Sequence, residues 1–256
     1  MTPAVAPVKN PDFTWPASVR GAVSVTFDDG RRSQIEEGVP IFERFGVHAT
    51  FYVVFANVLP LKDAWGRAAE RGQEIGAHTL THPCSGNFAF STSLSSPLED
   101  MTLEAMEQEI LGSNAQLERL FGVKPVSFSY PCGHKFVGRG ETLQSYVPLV
   151  ARHYLTGRGW NDEYFNAPDR CDLAQLGGVE LDGFTFDKVQ PQIEEAARTG
   201  NWLVLAGHDI GAGSRRQLTR TATLEALCEY CTDPANGIWI DTVGAIGKYV
   251  YDKRGF

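Results

Sequence analysis

Short apolar runs alternate with segments of helical periodicity along the whole chain, and this alternation limits the possible folds more than any other feature. Strands are expected at 22–27 (AVSVTF), 49–54 (ATFYVV), 74–78 (EIGAH), 126–130 (VSFSY), 154–157 (YLTG), 178–181 (GVEL), 203–207 (LVLAG) and 237–240 (GIWI). Most are near-continuously apolar, as strands covered on both faces must be. Helical spacing marks 34–46, 61–72, 102–121, 141–152, 187–199, 222–231 and 242–250. In 102–121, for example, Leu103, Met106, Ile110, Leu117 and Leu120 fall on one face. Gly46, Gly72 and Gly122 stand where helices should stop. Alternation of this kind implies parallel β-α units. About seven or eight strands in 256 residues match a barrel of the usual ~250 residues better than an open sheet. The expectation is an α/β fold, a single-domain distorted (β/α) barrel with about seven or eight parallel strands. It would occupy residues 21–256, behind a Pro- and Ala-rich extended arm over 1–20.

Composition narrows the partners. Lys plus Arg number 23 against 31 Asp plus Glu, a net charge of −8, so no basic face for nucleic acid is expected. Nothing favours an anionic membrane, and no apolar run approaches the ~18 residues of a membrane span. The first residues show no apolar leader core. That reads as cytoplasmic if Met1 is the native start, and as secreted or periplasmic if a leader was removed. Five cysteines, an odd number at low density, suggest mostly reduced thiols rather than a disulfide scaffold. Cys228 and Cys231 form a lone C-x-x-C inside a helical pattern, where packing is a better reading than zinc or redox chemistry. The sequence gives no sign of oligomeric state.

In a (β/α) barrel the chemistry lies at the C-terminal ends of the strands, so the residues that end each strand matter most. The first ends in Thr26-Phe27-Asp28-Asp29-Gly30, the third in His78-Thr79-Leu80-Thr81-His82, the fourth in Tyr130-Pro131-Cys132-Gly133-His134, and the seventh in Gly207-His208-Asp209. Three of the six histidines, His78, His82 and His208, thus sit at or just past strand ends with an Asp pair, and His134 is close behind. His78 and His82, four apart, can present both imidazoles on one face. With one carboxylate they would form a catalytic-type metal site that keeps positions open. The metalloprotease helix H-E-x-x-H is excluded by Thr79. Asp28 and Asp29 would repel each other unless a cation or proton separates their roles, although D-D-G is also a common turn. Two connections, 83–99 and 131–140, are long for a compact domain and so candidates for function.

The ordered set T-F-D-D-G, H-T-L-T-H, Y-P-C-G and L-x-G-H-D, with A-T-F-Y (49–52) and E-I-G-A-H (74–78), resembles the polysaccharide deacetylase family, also called the NodB-homology domain or carbohydrate esterase family 4. The resemblance runs from about Val23 to Ile210. It implies that Asp29, His78 and His82 ligate one divalent metal, usually Zn2+, with Co2+, Mn2+ or Ni2+ as alternatives. Asp28 would be the base, His208 the acid and the Cys132 amide the oxyanion donor. Leu205 would line an acetyl-methyl pocket. Tyr130, Pro131 and Gly133 are candidates to lie against substrate, as is Trp160 by stacking on a sugar; His134, two residues past the Cys132 amide, is either a substrate contact or a solvated loop histidine. The expected activity is metal-dependent removal of acetyl groups from an acetylated carbohydrate, either N-acetylglucosamine-type or O-acetyl xylan. Amide or ureide hydrolysis of a small molecule on the same fold is the alternative, and a non-catalytic binding scaffold ranks last.

The chain also departs from the family pattern. The third motif usually reads R-x-P-Y-G, and here Ser129 takes the place of its arginine. Arg158, at the end of the fifth strand, is the candidate for supplying the guanidinium that orients Asp28. The fourth motif, usually D-x-x-D-W, is not readable; Trp160-Asn161-Asp162 has the right neighbourhood and the wrong order. The partner of His208 is therefore unassigned. Cys84 and Cys132 each follow a motif proline, which allows them to face each other near the site, but inert thiols are the expectation for both. Phe88 and Phe90 are candidates for stacking on sugars or for anchoring their own loop.

Overall fold

The computed structural model describes residues 12–88 and 96–255. Eight parallel strands form its main sheet: β1 (Gly21–Asp29), β2 (Thr50–Val53), β3 (Glu74–Ala77), β4 (Ser127–Ser129), β5 (Thr156–Arg158), β6 (Val179–Glu180), β7 (Trp202–Gly207) and β8 (Ile238–Ile240). Every expected strand is present. Their order is β5-β4-β3-β2-β1-β7-β6, with β8 paired to the start of β1. A lone parallel bridge between Arg158 and Leu176 brings the free edge of β5 against the chain that leads into β6. The sheet therefore curls into a distorted, partly closed barrel.

Residue alternation along β1 decides what each face buries. Val23, Val25 and Phe27 join the main apolar core, where the rings of Phe27, Phe42, Phe51 and Trp65 meet. Ala22 faces a second cluster with Trp202, Val204 and Ile246. Strand side chains alternate between faces, so Ser24, Thr26 and Asp28 share the face of Ala22. Ser24 and Thr26 are satisfied there by Trp202 Nε1 at 3.1 Å and the Leu205 carbonyl at 2.8 Å. A buried hydroxyl needs such a partner to avoid a desolvation cost.

The outer helices follow the periodicity closely. Leu103–Phe121 ends at Gly122, and Val39–Phe45 ends at Gly46, both glycines at positive φ. The stretch expected to be helical over 141–152 is shorter, at Val147–His153. Residues 136–137 and 144–145 instead pair as a small antiparallel ribbon. Ahead of β1, Phe13 and Trp15 pack against Trp239 and Tyr249, and Trp15 Nε1 donates to the Gly200 carbonyl. No helix among the described residues is long and apolar enough to cross a membrane.

The expectation of reduced thiols is corrected for two cysteines. Cys84 and Cys132 form a disulfide with Cα atoms 6.2 Å apart, while Cys171, Cys228 and Cys231 are free. The parity of five cysteines could not reveal this pair, because what brings it together is the adjacency of β3 and β4. Cys228 and Cys231 are buried in the core from the helix Thr221–Thr232, where burial pushes both thiols up to about 12 and above.

Candidate active site

The C-terminal ends of the strands open into one cleft of about 660 Å³, lined by Asp28, Asp29, His78, His82, Cys132, Trp160 and His208 among others. Two adjacent carboxylates reach it because β1 breaks its own alternation. Asp29 has φ 76°, a left-handed conformation that turns its side chain into the same space as that of Asp28. Among the described residues, six of the seven non-glycine residues at positive φ line the cleft or adjoin a lining residue: Asp29, Thr79, His82, Cys132, Asn161 and Gln217. Backbone conformations of that kind, costing about 1–3 kcal/mol each, gather where the surroundings impose them, often at functional sites.

Asp29, His78 and His82 converge. Asp29 Oδ1 lies 3.7 Å from His78 Nε2 and 3.6 Å from His82 Nε2, and the three ligand atoms all fall within 4.8 Å of one another. The Nδ1 of His78 meets the Ser129 carbonyl at 2.8 Å, which directs Nε2 into the cleft. Burial and the neighbouring His78 bring His82 down to about 4, so its imidazole is neutral and free to donate a lone pair. Two neutral imidazoles and a carboxylate suit zinc and related divalent ions.

The turn that presents the histidines is held from outside the cleft. Glu109, on the helix Leu103–Phe121, accepts the backbone N–H of Leu80 and Thr81 at 3.0 and 2.8 Å and the Thr81 hydroxyl at 2.9 Å. Thr79 Oγ1 accepts the His82 N–H at 3.0 Å. On the other side of Asp29, Arg31 donates to Asp29 Oδ2 at 2.9 Å and to Asp209 Oδ2 at 2.9 Å. Burial pushes both site carboxyls up, but opposite charges outweigh it. Arg158, then His78 and His208, hold Asp28 below its ordinary value. His78, His82 and Arg31 bring Asp29 down to about 2.

Arg158 is fully buried and donates through Nη2 to Asp28 Oδ1. Its second Nη bonds the Gly159 carbonyl at 2.7 Å, and its guanidinium lies 5.0 Å from the centre of the Tyr52 ring. Gly76 makes room for that ring, since a Cβ there would lie 2.5 Å from it. The register explains the substitution at Ser129, which is the direct Cα partner of Arg158 across β4 and β5. The guanidinium is supplied one strand over.

His208 has a partner that the sequence reading missed. Asp182 Oδ2 meets His208 Nδ1 at 2.7 Å, while Oδ1 accepts from Thr219 at 2.7 Å and from the His208 N–H at 3.2 Å. Asp182 follows β6, which runs beside β7 in the register that pairs Glu180 with Ala206. The residues ending the sixth strand, Leu181-Asp182-Gly183, were there to be read. Asp162, in the Trp160-Asn161-Asp162 segment, instead accepts the Gly178 N–H at 3.1 Å. Trp160 does face the cleft, its ring 4.5 Å from that of His208.

Several expected substrate contacts lie elsewhere. Leu205 is fully buried in the core and absent from the cleft wall, because its strand position faces the helices. Tyr130 and Pro131 are buried beneath the cleft, with Tyr130 Oη donating to the Ala174 carbonyl at 2.7 Å. Gly133, at φ 72°, abuts Trp160, where a Cβ would come within 3.1 Å. The ring of His134 packs 5.7 Å from Phe88 outside the lining set. Phe88 lines the cleft, and Phe90 lies outside the described residues.

Residues 17–144 match the family model described as polysaccharide deacetylase. Among curated proteins, the chain is 26% identical over 145 residues to a gellan lyase of Bacillus sp, covering 57% of this chain and 5% of that protein. It is 33% identical over 106 residues to YheN of Bacillus subtilis (strain 168), covering 40% of this chain and 36% of YheN. The matches thus span well under two thirds of these relatives' lengths. A polysaccharide deacetylase-like crystal structure from Mycobacterium smegmatis shares the fold, with TM-score 0.66, 16% identity and 94% of each chain covered.

Proposed function

The chain belongs to the polysaccharide deacetylase family of hydrolases, and from that premise we propose that it is a metal-dependent enzyme removing acetyl groups from an acetylated carbohydrate. The observation that carries the reading is a division of labour around one cleft. Three ligand atoms lie within 4.8 Å of one another, beside a carboxylate held by Arg158 and an imidazole held by Asp182.

Asp29, His78 and His82 would hold the ion, with zinc the first choice and Co2+, Mn2+ or Ni2+ suited to the same N/O set. A divalent ion so held supplies the Lewis acidity that lets water lose a proton near neutrality and polarises the acetyl carbonyl. The chain's own residues do the rest. Asp28, kept ionised by Arg158, takes the proton of the attacking water on its carboxylate. The Cys132 backbone N–H faces the developing oxyanion, a kind of donor worth about 10²–10³ in kcat. His208, with Nδ1–H fixed on Asp182, gives its Nε2 proton to the leaving nitrogen or oxygen, a contribution of about 10²–10⁴. Trp160 and Phe88 offer apolar faces on which a sugar ring can lie.

The test is acetate release by the chelated protein and by protein with zinc or cobalt restored. Substrates would be N-acetylated chito-oligosaccharides, acetylated xylan and a small acetyl ester. Metal-dependent release from a carbohydrate supports the reading. Metal-loaded, folded protein that releases acetate from none of them overturns it.

A further inference from the structure

A covalent bond joins two of the loops that surround the cleft. Cys84 lies two residues past His82, and Cys132 follows Pro131 beyond β4; their disulfide closes 48 residues of sequence. Cys84 is buried, while Cys132 lines the cleft. The Cys84 sulfur sits 3.7 Å from His82 Nδ1, on the side of the ring remote from Asp29. The two histidines are therefore supported differently. His78 Nδ1 has the Ser129 carbonyl; for His82 Nδ1 no carbonyl or carboxylate partner occurs among the described residues. Both His82 and Cys132 hold positive φ, 58° and 54°, a conformation that persists in such residues only where the surroundings impose it. Among the described residues, the disulfide is the one cross-link that adjoins both.

We propose that the Cys84–Cys132 disulfide is a positioning element of the catalytic centre, fixing the ligand His82 and the Cys132 backbone amide relative to one another, so that a dithiol reductant lowers turnover without unfolding the protein. The proposal rests on the deacetylase reading of the cleft. A dithiol's thiolate attacks Cys132 Sγ, on the cleft-lining residue of the pair, and Cys84 leaves as the thiolate. The reagent's second thiolate then displaces Cys132 from the mixed disulfide. Two electrons pass from the reagent, which ends as its own disulfide, to the protein, which ends with two thiols. A disulfide oxidant reverses the exchange. The remaining cysteines take no part, since Cys228 and Cys231 are buried in a core helix and burial pushes the Cys171 thiol up to about 11.

The experiment uses the full chain purified without reductant. Thiol titration in denaturant should count three free thiols before reduction and five after it, matching the three free cysteines and the bonded pair. Reduction should lower kcat for the substrate found in the acetate assay by about tenfold or more, leave KM within about twofold, and be reversed by reoxidation. This is the pattern of a misplaced oxyanion donor rather than a lost binding surface. Free thiolates beside His82 would bind zinc themselves, so metal affinity is read on the C84S/C132S variant by chelator competition. That variant should melt cooperatively, bind zinc about 10–100-fold more weakly, as loss of outer support for a ligand does, and show kcat indifferent to reductant. Five thiols in the untreated protein would overturn the proposal. So would a C84S/C132S variant whose zinc affinity and kcat both stay within twofold of the parent. If no substrate is turned over by the oxidised parent, the deacetylase reading fails by itself, and the zinc-affinity comparison still decides whether the disulfide positions His82.

Discussion

Arg158 donates a hydrogen bond to Asp28 across 130 residues of sequence, and both side chains are buried at the end of the barrel. Burial alone would push the Asp28 carboxyl up, and Arg158 is the largest of the charges that reverse this. The Asp28 carboxyl is held ionised by a residue one strand away from where the family pattern carries its arginine.

Replacing Arg158 should therefore change the pH profile as well as the rate. In Arg158→Ala the desolvation of Asp28 is left unopposed by its main counter-charge, so the carboxyl rises. The acidic limb of the kcat/KM profile should move to higher pH, and Arg158→Lys should move it less. Breaking a buried pair costs about 3–5 kcal/mol, so melting is measured alongside. An unchanged acidic limb in a folded Arg158→Ala protein would separate Arg158 from the base.

His82 sets a second, independent pH dependence. Its folded value is about 4 against an ordinary 6.5, so between these values the unfolded chain binds more protons than the folded one. Stability of the chelated protein should then be full above about pH 6.5 and fall as pH drops toward 4. Thermal melts across this window should show the fall, and His82→Asn should flatten it. A wild-type melting curve that is level from pH 7 to 4.5 would contradict the burial of a neutral imidazole there.

Asp182→Asn keeps the shape of the His208 partner and removes its charge. The expected result is a loss of about 10²-fold or more in kcat, little change in KM and no change in zinc content. A loss confined to zinc content would move His208 and Asp182 out of the proton-transfer role.

Glu109 holds the backbone of the turn between His78 and His82 from outside the cleft. Glu109→Ala should weaken zinc affinity by about 10–100-fold in a chelator competition while leaving the helix Leu103–Phe121 folded. Glu109→Gln, which keeps the acceptor oxygen, should recover part of it.

By itself the sequence determined the eight strands, most of the helices and the residues at the mouth of the barrel. Those signals are local. Apolar runs mark strands buried on both faces, glycines mark helix ends, and His78 and His82 share a short turn whose spacing is visible without any partner. Arg158 stands out only against the family pattern, as a strand-ending residue that can replace the arginine absent at Ser129. The tertiary structure decided which side chains meet across strands. Ser129 and Arg158 are register partners, Asp182 reaches His208 because β6 lies beside β7, and Cys84 meets Cys132 because β3 lies beside β4. It also sent Leu205 into the core and Tyr130 beneath the cleft. Such pairings depend on strand order and register, which bring together residues far apart in the chain and leave no mark in local spacing.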